Sequence, residues 1–228
     1  MKHWFRSAFL DTLPVMAGYL VIGLGFGILA QANGYGFWWV LAMSTLVYAG
    51  SMQYVAITLL TGGVSLLTAG LTTLVVNARH LFYGLSMIDR YKGAGKVKPY
   101  LIFALTDETY SLVCADKIPE GAPRHRYYLA VSLLNHGYWI VGSVLGVLAG
   151  MIIPFNTTGV DFAMTALFLT VLVEQWRATK DHLPAILGGV SSVACLLIVG
   201  KENFLIPAMA AIGLLLLLTR KKEVPDRG

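Results

Sequence analysis

A chain of 228 residues that is 57% hydrophobic and only 13% charged is no water-soluble domain, since such domains carry about 25% charged residues. The net charge of +5 is not a nucleic-acid signal, because the lysines and arginines gather at the ends of apolar segments, as loops of membrane proteins do. Cys114 and Cys195 both lie inside apolar runs and offer neither metal spacing nor a disulfide framework.

The composition predicts an all-α polytopic membrane protein formed by a single integral membrane domain over residues 1–228. Eight apolar segments can be marked, at 13–32, 37–60, 64–88, 100–115, 127–153, 162–176, 183–200 and 204–219. A full span needs about 20 residues, so 100–115 and 162–176 are short.

The first segment carries Gly18, Gly23, Gly25 and Gly27. Gly23 and Gly27 form a small-xxx-small pair, which points to close helix packing. Lys2, Arg6 and Ala30-Gln31-Ala32 give the segment some features of a cleavable signal peptide. A later partner for the same pattern argues for a retained helix. The second segment begins beside Tyr35, Phe37, Trp38 and Trp39, an interfacial aromatic belt. Tyr48-Ala49-Gly50-Ser51-Met52-Gln53-Tyr54 interrupts it. Glycine and serine weaken a helix there, and the Gln53 amide needs a partner in a medium without water. A broken helix offering a half-helix amino terminus to a carboxylate and a kinked structural helix both fit.

The third segment holds Asn77-Ala78-Arg79-His80-Leu81-Phe82-Tyr83-Gly84. A guanidinium at mid-bilayer costs about 2.5–3.5 kcal/mol on insertion scales. It is kept only where it faces protein, water or a counter-charge. On a helix, Asn77, His80 and Gly84 share one face, and Arg79 and Tyr83 the adjoining one. Counter-charges stand in the short fourth segment, at Thr106-Asp107-Glu108-Thr109-Tyr110. Adjacent acids diverge by about 100° on a helix, so one can face a cavity while the other meets Arg79. Asp107, Glu108 and His80 are therefore candidate proton-coupling groups. Ser51, Gln53, Asn77, Arg79, Tyr83 and Asp107 are candidate substrate-binding groups, with Tyr48, Met52, Phe82 and Tyr83 as walls. Asn135-His136, Glu174-Gln175 and Asp161 are second-tier polar positions, the last a helix cap.

Gly18-Tyr19, Gly23 and Gly27-Ile28-Leu29-Ala30 recur as Gly137-Tyr138, Gly142 and Gly146-Val147-Leu148-Ala149, at an offset of 119. Gly70-Leu71-Thr72-Thr73-Leu74 matches Gly189-Val190-Ser191-Ser192-Val193 at the same offset, and Gln53-Tyr54 is echoed by Gln175-Trp176. Repeat halves over about 13–115 and 127–219 follow. Counting basic residues per side favours an external amino terminus, about seven transmembrane helices and one short or re-entrant helix at 100–115. That arrangement inverts one half relative to the other, as in many secondary transporters.

Enzyme signatures are missing. Ser51 has no Gly-x-Ser-x-Gly setting, and neither His-Glu-x-x-His nor a phosphate-binding glycine loop occurs. No cofactor is implied.

Ala49 to Tyr54, Asn77 to Gly84 and Thr106 to Tyr110, in this order and at this chain length, resemble the AzlC family of branched-chain amino acid exporters. The resemblance implies secondary export of leucine, isoleucine, valine and sometimes methionine across the bacterial inner membrane, driven by the proton-motive force. It also implies a hetero-oligomer with a small AzlD-type membrane subunit. A non-transporting membrane scaffold, or a facilitator for another small solute, are the alternatives.

Overall fold

The computed structural model describes residues 3–115, 118–152, 169, 172–173, 176–177, 181–200 and 204–219. These divide into two units, 1–167 and 168–228. The described residues are helical, with no strand among them.

The first unit is built on α1 (His3–Ala32) and α8 (Arg124–Ile152), each long and apolar enough to cross a membrane. Glycines let their backbones touch. A methyl group on Gly142 meets the Tyr19 carbonyl at 2.7 Å, and one on Gly23 meets the Ser143 amide at 2.9 Å. One on Gly146 strikes the Leu24 carbonyl, and one on Gly27 the Ser143 carbonyl. Glycine is required at all four by close approach. Partner numbers rise together along both helices, so α1 and α8 run parallel. An inverted repeat sets equivalent helices antiparallel. The expected inversion is therefore corrected for the pair that carries the clearest sequence match.

Between them lie shorter elements. α2 (Phe37–Ala42) passes through a wide π turn at Met43–Val47 and ends at Tyr48, whose φ of 44° is left-handed. α3 (Gly50–Thr61) starts afresh. The legs fold back on one another, since Ser44 Oγ accepts from Gln53 Nε2 at 3.4 Å. Nine residues of continuous helix would put about 13 Å between those positions. The segment 37–60, expected to cross, is thus a hairpin entering from the carboxy-terminal ends of α1 and α8.

α4 (Leu66–Val76) and α5 (Ala78–Ser86) then run the length of the unit, interrupted at Asn77. After a turn region, α6 (Lys98–Phe103) and α7 (Asp107–Cys114) form a second hairpin, broken at 104–106. Its two ends stay together. Met87, Ala94, Leu101 and Val113 share one core with Ala8, Tyr127 and Val131, and Arg90 Nη1 donates to the Val113 carbonyl at 3.2 Å. This hairpin enters from the amino-terminal ends of α1 and α8. Among the described residues of the first unit, two elements turn back on themselves, 37–60 as well as 100–115, where one was expected.

The same core corrects the expected sidedness. Trp4, Phe5 and Ala8 pack with Tyr91 and Ala94, so the start of α1 and the 89–97 region occupy one end, not opposite faces.

In the second unit, α9 (Leu183–Val199) begins with Leu183 N donating to Asp181 Oδ1 at 3.0 Å and packs on α10 (Leu205–Thr219). Trp176 stacks on His182, centroids 4.1 Å apart. The positions read at Asp161, Glu174 and Gln175 lie outside the described residues.

Candidate functional site

Helix amino termini meet where α3, α5 and α7 begin. Ser51, Arg79 and Asp107 all sit in the first turns of their helices. Arg79 Nη1 stands 2.6 Å from Asp107 Oδ2, and Nη2 donates to Ser51 Oγ at 3.0 Å. Free backbone N–H groups and helix dipoles make such termini receptive to negative charge.

α7 owes its start to Thr106, whose hydroxyl accepts from the Thr109 amide at 3.3 Å. This N-cap, with two acids in the first turn, is a strong helix-start signal. Because α7 begins at Asp107, the two acids diverge. Asp107 turns to Arg79, while Glu108 Oε2 accepts from the Tyr19 hydroxyl at 2.6 Å. Tyr19 Oη also lies 2.7 Å from Thr106 Oγ1. Asn135 Nδ2 donates to Thr109 Oγ1 at 3.0 Å, tying this start to α8.

Arg79 Nε, Asp107 Oδ1 and Asn135 Oδ1 are buried without a well-aligned hydrogen-bond partner, and the Tyr83 hydroxyl faces the Asp107 carboxylate. Unpaired buried polar groups carry a cost of about 1–3 kcal/mol each, and a donor beside an acceptor fits a ligand bearing both charges. The side chains of Arg79 and Asp107 remain 31% and 28% exposed, so the pair is reachable.

Gln53, expected to reach a substrate, has other work. It is 0% exposed. Its Oε1 accepts from Trp139 Nε1 at 2.9 Å, while its amide nitrogen meets Ser44. It fastens the first hairpin to α8. Asn77 provides the break between α4 and α5 without a side-chain cap. His80 stands edge-on to Tyr83 at 6.0 Å, and Tyr83 stacks on Tyr110 at 4.4 Å. Of the expected walls, Tyr48 and Met52 are buried, whereas Phe82 is 70% exposed.

His136, a second-tier position by sequence, joins the two hairpins. Nε2 lies 3.2 Å from the Ser44 carbonyl and Nδ1 2.9 Å from the Tyr100 hydroxyl. The sequence signal was available: a polar pair, Asn135-His136, inside an apolar run. Tyr19 gave no such signal, since a lone tyrosine in a glycine-rich helix reads as packing. Among the described residues, no His/Cys/Asp/Glu group is arranged to hold a metal ion.

Comparison with known proteins covers the same residues. The family model described as AzlC protein matches residues 14–153, which include every group named at this site. The branched-chain amino acid transport protein AzlC of Bacillus subtilis (strain 168) is 44% identical over 220 residues, 96% of this chain and 87% of the relative. An uncharacterized membrane protein of Helicobacter pylori (strain ATCC 700392 / 26695) is 43% identical over 96% of both chains. The inner membrane protein YgaZ of Escherichia coli (strain K12) is 26% identical over 78% of this chain and 75% of its own. No solved structure matches the chain.

Proposed function

The chain belongs to the AzlC family, and on that premise we propose that it exports leucine, isoleucine and valine, with methionine as a further substrate. It is a membrane protein of a transport family rather than an enzyme family. In the proposed cycle a zwitterion with an apolar side chain enters between the hairpin tips. Its carboxylate engages Arg79 and the start of α3 at Ser51, and its ammonium group takes Asp107. Tyr48, Met52 and Tyr83 border the side chain, while Asn77 leaves the α4–α5 break open beside it. Gln53 holds the first hairpin in place.

The observation that carries the reading is the meeting of Ser51, Arg79 and Asp107 at helix amino termini, with Arg79 Nε and Asp107 Oδ1 lacking a well-aligned partner. A substrate can divide that ion pair by supplying a partner to each member. Energy comes from a proton gradient, for which Asp107, Glu108 and the neighbouring His80 are the candidate carriers, with no ATPase. A small AzlD-type subunit completes the transporter in the bacterial inner membrane.

Sidedness follows from charge. Arg6, Arg90, Lys92, Lys96, Lys98, Arg124 and Arg126 lie toward the amino-terminal end of α1 and α8, whereas 33–36 and 61–65 at the other end carry no charged residue. Basic loops stay cytoplasmic, so the amino terminus faces the cytoplasm.

The test is intracellular leucine, valine and methionine after dipeptide feeding, in cells with and without this gene and that of the small subunit. Export predicts lower internal levels only when both are present. Equal levels refute the function.

A further inference from the structure

The two acids of α7 differ in what surrounds them. Asp107 has a cation at 2.6 Å. Glu108 has none within ion-pair distance among the described residues. From α1 it meets the Tyr19 hydroxyl at 2.6 Å. From the first hairpin tip Tyr48 faces it, and on its own helix stand Thr106 and Asp107. Across the start of α7, Asn135 of α8 presents only a neutral amide, bonded to Thr109. An ionised carboxylate without a counter-charge inside a membrane protein is costly. A protonated one there needs an acceptor.

The hydroxyl chain meets both needs without moving a heavy atom. When Glu108 is ionised, Tyr19 donates to Oε2. When Glu108 is protonated, the carboxyl donates to Tyr19 Oη, and Tyr19 donates in turn to Thr106 Oγ1 at 2.7 Å. Thr106 in turn donates a hydrogen bond to Thr109 Oγ1 at 3.1 Å. Such wiring is reversible by rotation of hydroxyl hydrogens alone. Asp107 lacks this freedom because loss of its charge strands Arg79. His80 sits next to Arg79 in the first turn of α5, edge-on to Tyr83, and forms no hydrogen bond with the hydroxyl chain among the described residues.

We propose that Glu108 alone carries the coupled proton, that Tyr19 is its positioning residue, and that Asp107 serves the substrate. The inference rests on the transport reading above and assigns roles within it. Glu108 takes up a proton while its side faces outward and gives it up toward the cytoplasm, as the amino acid leaves in the opposite direction. The substrate acid next to it on α7 senses the change through the first helical turn they share.

The experiment uses everted membrane vesicles from cells making the full chain with its small subunit, and radiolabelled leucine. One readout is accumulation driven by an acid interior, and the other is leucine counterflow at equal pH. Glu108→Gln is expected to lose driven accumulation and its pH dependence while counterflow survives, because exchange requires no net proton release. Tyr19→Phe is expected to shift the pH profile of driven accumulation, and Glu108→Asp to recover part of it. Asp107→Asn is expected to lose both readouts. Driven accumulation surviving in Glu108→Gln overturns the assignment. So does loss of counterflow in that variant at normal membrane abundance, or wild-type counterflow with no response to the pH gradient. If the wild type shows neither readout, the transport reading itself fails, and this assignment with it.

Discussion

The imidazole of His136 lies against the phenol of Tyr48, ring centroids 4.2 Å apart and planes inclined by 26°. Phe103 of the second hairpin meets the same imidazole edge-on, centroids 5.8 Å apart. One α8 side chain thus contacts the tip of each hairpin and hydrogen-bonds to both, through Ser44 and Tyr100. The hairpins enter from opposite ends, so His136 is where their positions become dependent on each other.

Replacing His136 by Leu keeps bulk but removes both hydrogen bonds. Such bonds within membranes average about 0.6 kcal/mol, with a maximum of about 1.7 kcal/mol, so folding survives while the hairpins loosen. A cysteine placed at Ala49 or Ala104 is expected to react faster with a permeant maleimide in the His136→Leu background than with His136 present. Equal rates count against the clamp.

The α1–α8 contact predicts a sharp contrast among glycines. Gly27→Ala and Gly146→Ala drive a methyl group into backbone of the facing helix, whereas Gly18→Ala and Gly137→Ala meet nothing within 4 Å. Overpacking costs about 1–3 kcal/mol. The first two variants are expected to melt lower in detergent, and the second two to match the parent. Four similar melting curves would remove the close-packed interface.

How far was this legible beforehand? From the residues, Tyr48 to Tyr54 reads as an interruption, whereas Asn77 reads as part of one continuous helical face and 100–115 as one short element. Gly50-Ser51, Asn77 and Thr106-Asp107 each fall where a helix begins again, because poor helix formers and an N-cap act locally. Glycine spacing found the packed faces of α1 and α8 for the same reason. Direction was not legible. Whether a chain continues or reverses at Tyr48-Ala49 depends on Gln53 meeting Ser44 and Trp139, contacts that hydropathy does not encode. Reading 37–60 as crossing then turned the sign of every later segment, and the parallel pair became an inverted one. Tyr19 escaped notice because its importance lies wholly in a carboxylate 89 residues away.

That geometry makes a labelling prediction. In a background with Cys114→Ser and Cys195→Ser, single cysteines at Ser7 and Lys92 are expected to react with an impermeant maleimide from the same membrane face. Asn33→Cys and Thr61→Cys are expected to react from the other. Ser7 and Lys92 on opposite faces would contradict the shared core of Ala8, Tyr91 and Ala94.

Arg79 gives the most direct test of the site. Arg79→Lys keeps the charge facing Asp107 but gives up the planar fork that reaches Ser51 Oγ at the same time. Asp107→Asn keeps shape and removes the charge. Both are expected to insert at wild-type levels and to lower export by about tenfold or more, equivalent to about 1.4 kcal/mol of lost interaction. The swapped double variant Arg79→Asp with Asp107→Arg restores a local ion pair, so abundance and melting temperature are expected to recover. Export is not, because the carboxylate partner and the ammonium partner have exchanged places relative to the start of α3. Internal leucine after dipeptide feeding reads export, and an immunoblot of membranes reads abundance. Export restored by the swap means that the pair only holds α5 to α7, and the substrate must then be sought elsewhere.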